Sequence, residues 1–168
     1  MKGFILAALA AAGALASPAQ ASVPRDIQVP AGHEAFLAAH AVGVQIYGCA
    51  QTTGGYAWSL TGPRANLYRH GRLVATHFAG PTWQAKDGSQ VVGARVSGVN
   101  VDATAVDWLL LKATATTPGR FGATTYIQRI HTTRGLAPAA AECNAGTAGS
   151  TRESPYTADY VFFKKRGR

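Results

Sequence analysis

No stretch of this chain beyond residue 21 carries a long apolar period of 3.6 residues, and that absence argues against any helix-based architecture. Short runs of β-branched and aromatic residues recur instead, cut by Gly, Pro and Asn, which is how strands joined by turns are written. Strands are expected at 35–49 (two strands, or one bent at Gly43), 56–60, 66–68, 73–78, 82–85, 91–99, 108–116, 124–131 and 158–164. In Tyr56-Ala57-Trp58-Ser59-Leu60 the large groups alternate, so one face should be buried. WLLLKATAT is apolar on both faces at its start, as for a central or sandwiched strand. His70-Gly71 suits a two-residue hairpin turn, because both positions of such a turn tend to need positive φ. Residues 135–154 hold Pro138, Gly146, Gly149 and many alanines and are expected to form a long loop with Cys143 in its middle. A chain of 168 residues has room for one domain. The expectation is a single antiparallel all-β domain over residues 22–168, a sandwich or a barrel.

The first 21 residues are a different matter. MKGFILAALAAAGALASPAQA has a positive start at Lys2, an apolar run, and Ala19-Gln20-Ala21 as a small-x-small cleavage site. That order predicts a signal peptide over 1–21 and export to the periplasm or beyond; a buried core helix is the alternative. No second apolar run long enough for a transmembrane segment follows in the mature form. Two cysteines, Cys49 and Cys143, remain. In an exported protein an even count suggests a disulfide, with two unlinked buried thiols as the alternative. They do not propose a metal site, since there is no C-x-x-C and no histidine within four positions of either.

The formal charge is +8, yet nucleic acid is not the implied partner. Arg64, Arg69, Arg72, Arg95, Arg120, Arg129, Arg134 and Arg152 are scattered, and only the tail KKRGR clusters; a nucleic-acid binder gathers its cations on one face. The tail suits an anionic envelope polymer or, more simply, a frayed terminus. Nucleophile-elbow, H-E-x-x-H, dinucleotide and Walker patterns are all missing, so no cofactor and no metal is implied. The acidic residues are few and dispersed, and nothing in their spacing proposes a catalytic carboxylate pair.

One stretch concentrates chemistry. HFAGPTWQAKDGS (77–89) places His77, Trp83 and Asp87 around two turn signals. Gly80-Pro81 ends one strand and Asp87-Gly88-Ser89 opens the next, so the stretch reads as a built turn with Trp83 in the core. It also reads as a site, if the short strand at 82–85 folds His77 and Asp87 together. An imidazole, an indole and a carboxylate at one sheet end suit a small polar ligand, a sugar or a metal. On the strand at 43–49, alternation puts Gln45, Tyr47 and Cys49 on one face; Gln45 and Tyr47 line a pocket or serve as structural partners beside a disulfide. In YIQRIH, Ile127, Arg129 and His131 share a face. Arg129 holds a carboxylate, sits on an exposed sheet face, or forms a salt bridge to Asp159. His40, in an apolar run, is expected in the core, and His33 and His70 in loops.

VPAGHEAFLAAHAVGVQIYGC, HFAGPTWQAKDGSQVVG, WLLLKA, YIQRIHTTRG and SPYTADYVFF, in this order, resemble an exported bacterial and fungal family of unknown function. Some of its members carry a malate-dehydrogenase label, which the missing dinucleotide fingerprint contradicts here. The resemblance covers essentially all of residues 22–168 and supports the pairing of Cys49 with Cys143. The chain departs at His70, where the family often has an aspartate before the turn glycine. Three functions remain open. The first is a non-catalytic binding or cell-surface module for a small polar ligand, a glycan or an envelope polymer. The second is a hydrolase or lyase with His77 as base and Asp87 orienting it. The third is a structural or stress-protective envelope protein. Nothing in the sequence specifies an oligomeric state.

Overall fold

The computed structural model describes residues 23–167, so the expected signal peptide lies outside the described residues. Eight antiparallel strands follow one another around a single sheet: β1 (His33–Thr52), β2 (Gly55–Arg69), β3 (Arg72–Phe78), β4 (Thr82–Ala85), β5 (Gln90–Val99), β6 (Trp108–Thr116), β7 (Thr124–Arg134) and β8 (Thr151–Lys165). Each pairs with its sequence neighbour, and β1 also pairs with β8 from His33↔Lys165 to Gly48↔Thr151. That last ladder turns the sheet into a closed ring, and closure removes the free edges that an open sheet must protect.

The main departures from the sequence expectation lie in strand length. Gly43 does not break β1. It sits opposite Ala65 of β2, and a side chain there would collide with the Arg64 carbonyl and come within 2.5 Å of the Ala65 Cα. The glycine permits close approach of two backbones. The runs at 56–60 and 66–68 are one strand, because a bulge at Thr61 absorbs Gly62 (φ 153°) and Pro63. β3 pairs with β2 only from Ala65 onward, so Pro63 has no ladder partner on that side and its missing N–H costs nothing there. The same logic extends β8 back through Pro155, since β7 reaches β8 only from Tyr156 on. The long loop therefore ends at Ser150. The basic tail is not frayed over its first residues: Lys164 and Lys165 close the β1–β8 ladder, and Lys164 Nζ lies 3.4 Å from Glu34.

Inside the ring, alanines on β1, β2, β3 and β8 leave space for Trp83, Phe121, Tyr156, Tyr160 and Phe162. Leu109 and Leu111 of β6 point into this core. Trp108 and Leu110 point the other way and are covered by Ile27, in a single 3-10 turn at Arg25–Ile27. That segment is tied on by Gln128, whose side-chain N–H donates to the Ile27 carbonyl at 2.7 Å. The two-faced apolarity of WLLL thus has two covers. The alternation in Tyr56–Leu60 was a weaker guide: Trp58 is half-buried against the Ala139 carbonyl, but Leu60 is 55% exposed. His40 is not a core histidine; it lies on the outer face beside Asp159. His70 and Gly71 take φ 49° and 72°, a primed turn that joins β2 to β3.

Cys49 and Cys143 form a disulfide, with Cα atoms 5.4 Å apart. It ties the loop after β7 to β1 across 94 residues. Removing it with Cys49→Ser and Cys143→Ser is expected to cost about 2–4 kcal/mol, mainly by freeing the unfolded chain. The midpoint of urea unfolding, oxidised against doubly substituted protein, measures this. An unchanged midpoint refutes it.

Candidate functional site

The β2–β3 ladder stops at Ala65 and His77, while β2 runs on toward Leu60 paired with β1 on its other side. A gap is left between that arm and the β3–β4 turn. It opens into a cavity of about 300 Å³ at that end of the ring. Every strand contributes: Gln45 from β1, Leu60 to Pro63 from β2, His77 from β3, Trp83 from β4, Arg95 from β5, Leu109 and Leu111 from β6, Arg129 from β7 and Tyr160 from β8, with Gly80 and Pro81 at the turn.

His77 and Trp83 face each other across the β3–β4 ladder. Their rings are stacked, 4.2 Å apart and 4° from parallel. His77 Nδ1 lies 2.9 Å from the Thr82 carbonyl, which can only accept, so Nδ1 carries the proton and Nε2 is left as an acceptor. Burial pushes the imidazole down to about 3; the Thr82 hydrogen bond resists this and the nearby Arg129 charge adds to it. His77 is therefore a neutral ring at ordinary pH.

Arg129 is neither on an exposed face nor paired with Asp159. Its Nε and Nη2 donate to the Asp107 carbonyl at 3.0 and 2.9 Å, and its charge is felt by His77, Tyr156 and Tyr160 inside the ring. Asp159 serves His40 and His131, accepting from their Nδ1 atoms at 2.7 and 2.9 Å on the outer surface. His131 leaves the Ile127–Arg129 face because β7 bulges between Ile130 and Thr133, where His131 takes φ 49°. Burial raises the Tyr156 and Tyr160 hydroxyls above their ordinary range; they lie 3.4 Å apart. Gln45 is 1% exposed, and among the described residues neither its amide nitrogen nor its oxygen has a partner, nor does the Trp83 indole N–H.

Four of the residues proposed from sequence, Gln45, His77, Trp83 and Arg129, meet in this cavity. Tyr47 does not line it; its hydroxyl donates to the Gly135 carbonyl at 2.8 Å and anchors the start of the long loop. Asp87 is at the opposite end of the ring. β4 is an extended strand running away from His77, and it carries the turn residue on the order of 10 Å off. There Asp87 accepts from Ser89 and from the Arg120 backbone N–H, and those hydrogen bonds hold its carboxyl below its usual range. The pairing of His77 with Asp87 as base and orienting group is thus replaced by a histidine held by a backbone carbonyl. Tyr160 was missed, although Tyr156, Ala158, Tyr160 and Phe162 alternate inward along SPYTADYVFF. Arg95 was passed over as one of many scattered arginines; it pairs with Asp107 at 3.3 Å.

A closed antiparallel ring enclosing a small, partly polar cavity is the class of protein that fold and site define. Within that class the chain has a family: residues 30–164 match the sequence model described as "Protein of unknown function (DUF3455)", and the chain belongs to it. No curated protein matches the chain, and no solved structure does.

Proposed function

We propose that the protein is a non-catalytic binding module that holds a small polar ligand in the cavity, and that it works outside the cytoplasm. The observation that carries this reading is Gln45. An amide at 1% exposure with both ends unpartnered costs about 1–3 kcal/mol, and such a cost is usual where a site needs the group for something else. Strand alternation places this residue inward, so an apolar side chain would serve folding better. A volume of about 300 Å³ is at the small end for ligand sites and favours a compact molecule over a glycan chain. The leader pattern at 1–21 and the Cys49–Cys143 bond support export, since disulfides persist in oxidising compartments.

Gln45→Leu separates folding from binding. It is expected to raise stability by about 1–2 kcal/mol, because it removes an unpaired buried amide at nearly equal volume. It is also expected to abolish the thermal stabilisation that small organic acids or monosaccharides give the wild type. A destabilised Gln45→Leu protein that still responds to the same compounds overturns the assignment.

A further inference from the structure

Resting on that reading, we propose that the ligand is a small carboxylate with an apolar body, its head group met by Arg129 and the Gln45 amide N–H. Among the described residues the cavity wall carries two arginines, Arg95 and Arg129, and no Asp or Glu. Arg95 is matched by the Asp107 carboxylate. Arg129 is held by the neutral Asp107 carbonyl and by the neutral Tyr160 hydroxyl beside it, so its charge has no carboxylate partner among the described residues. The two carbonyl bonds take Nε and Nη2 and fix the plane of the guanidinium. A guanidinium fixed in this way is suited to a planar carboxylate.

The unpaired groups agree. The Gln45 amide nitrogen and the Trp83 indole nitrogen are buried donors without acceptors, and a carboxylate accepts several hydrogen bonds at once. His77, neutral and protonated on Nδ1, adds no second charge and offers Nε2 to a ligand hydroxyl or N–H. Most of the remaining side-chain surface is apolar, from Leu60, Pro63, Pro81, Leu109 and Leu111, with Thr61 and Tyr160 adding hydroxyls. Such a surface rejects a compact, strongly hydrated anion and accepts a ring or short alkyl body. A cavity of about 300 Å³ suits a molecule of roughly ten non-hydrogen atoms.

Isothermal titration with two matched pairs tests this: benzoate against benzamide, and hexanoate against hexanamide, with inorganic phosphate as a competitor. Each acid is expected to bind at least about tenfold more tightly than its amide, with phosphate failing to compete. Arg129→Gln should erase that preference, and Arg129→Lys, which keeps the charge but not the fork, should retain part of it. Arg64→Gln, which removes a surface ion pair to Glu153, should leave it unchanged. Equal binding of acid and amide overturns the carboxylate inference and leaves the binding module standing. Failure of all four compounds overturns both. Displacement of benzoate by phosphate overturns the apolar body. An acid preference that survives in folded Arg129→Gln protein overturns the role of Arg129. Should that variant not fold, the acid–amide comparison on wild type and Arg129→Lys still decides.

Discussion

On acidification from pH 6.5, the protein is expected to lose about 1.4 kcal/mol of stability per pH unit through His77 alone, approaching about 4 kcal/mol near pH 3.5. The direction follows from where the proton binds. In the unfolded chain the imidazole is protonated below its ordinary 6.5; in the folded chain it stays neutral down to about 3. Between those values the unfolded state binds the extra proton, so falling pH favours unfolding. Above the window His77 contributes its full stability, and nothing more is gained by raising the pH. Two structural facts set the effect: the ring is 4% exposed, and Arg129 lies close enough to oppose a second positive charge. The hydrogen bond from Nδ1 to Thr82 moderates it. His77→Phe keeps a flat ring against Trp83 and removes the titration. Urea midpoints for both proteins at intervals from pH 7 to pH 4.5 make the comparison, above the range where Asp87 and Asp102, both with lowered carboxyls, begin to protonate. The wild-type curve should fall, and wild-type stability minus that of His77→Phe should decrease steadily. Parallel curves would show that His77 is not held neutral by the fold.

How much of this was legible beforehand depends on range. Alternation along a strand is local, so the inward set of Gln45, Tyr47 and Cys49 and the short strand carrying Trp83 were open to reading. The closing of the ring was not, because the β1–β8 ladder joins residues more than a hundred positions apart and no local pattern encodes it. Gly43, Gly62, Pro63 and Pro155 look like strand breakers. Each is tolerated for a reason that lies in a neighbouring strand: a backbone that must come close, or a ladder that is missing on one side. The same blindness misplaced Asp87. Proximity in sequence to His77 suggested proximity in space, but an extended strand is the conformation that separates nearby residues fastest. Arg129 was named from its residue type. Its setting, an inward guanidinium anchored on a backbone carbonyl, depends on β6 delivering Asp107 to it, and only the fold shows that.

Trp83→Ala is expected to remove about 3–5 kcal/mol and to leave the protein marginally folded. The indole is fully buried, stacked on His77, and edge-on to Tyr160 and Phe162 at 5.4 and 6.0 Å. Gly93 on the next strands stands back for it, since a side chain there would come within 3.2 Å of the ring. Such a loss identifies a core residue and says nothing of function. Trp83→Phe asks the sharper question. It keeps an aromatic ring in the stack, costs about 1–2 kcal/mol through the smaller volume, and removes an N–H that has no partner among the described residues. If the indole is packing alone, relieving an unpaired donor leaves ligand affinity untouched. If the N–H is one of the donors for a bound carboxylate, benzoate affinity falls about three- to tenfold, the worth of one hydrogen bond. The second outcome is expected, because Trp83 shares its wall with Gln45 and Arg129, and a polar atom is costly at the centre of a ring core unless something meets it. Titration of Trp83→Phe with benzoate, on protein shown by circular dichroism to be folded, decides between them.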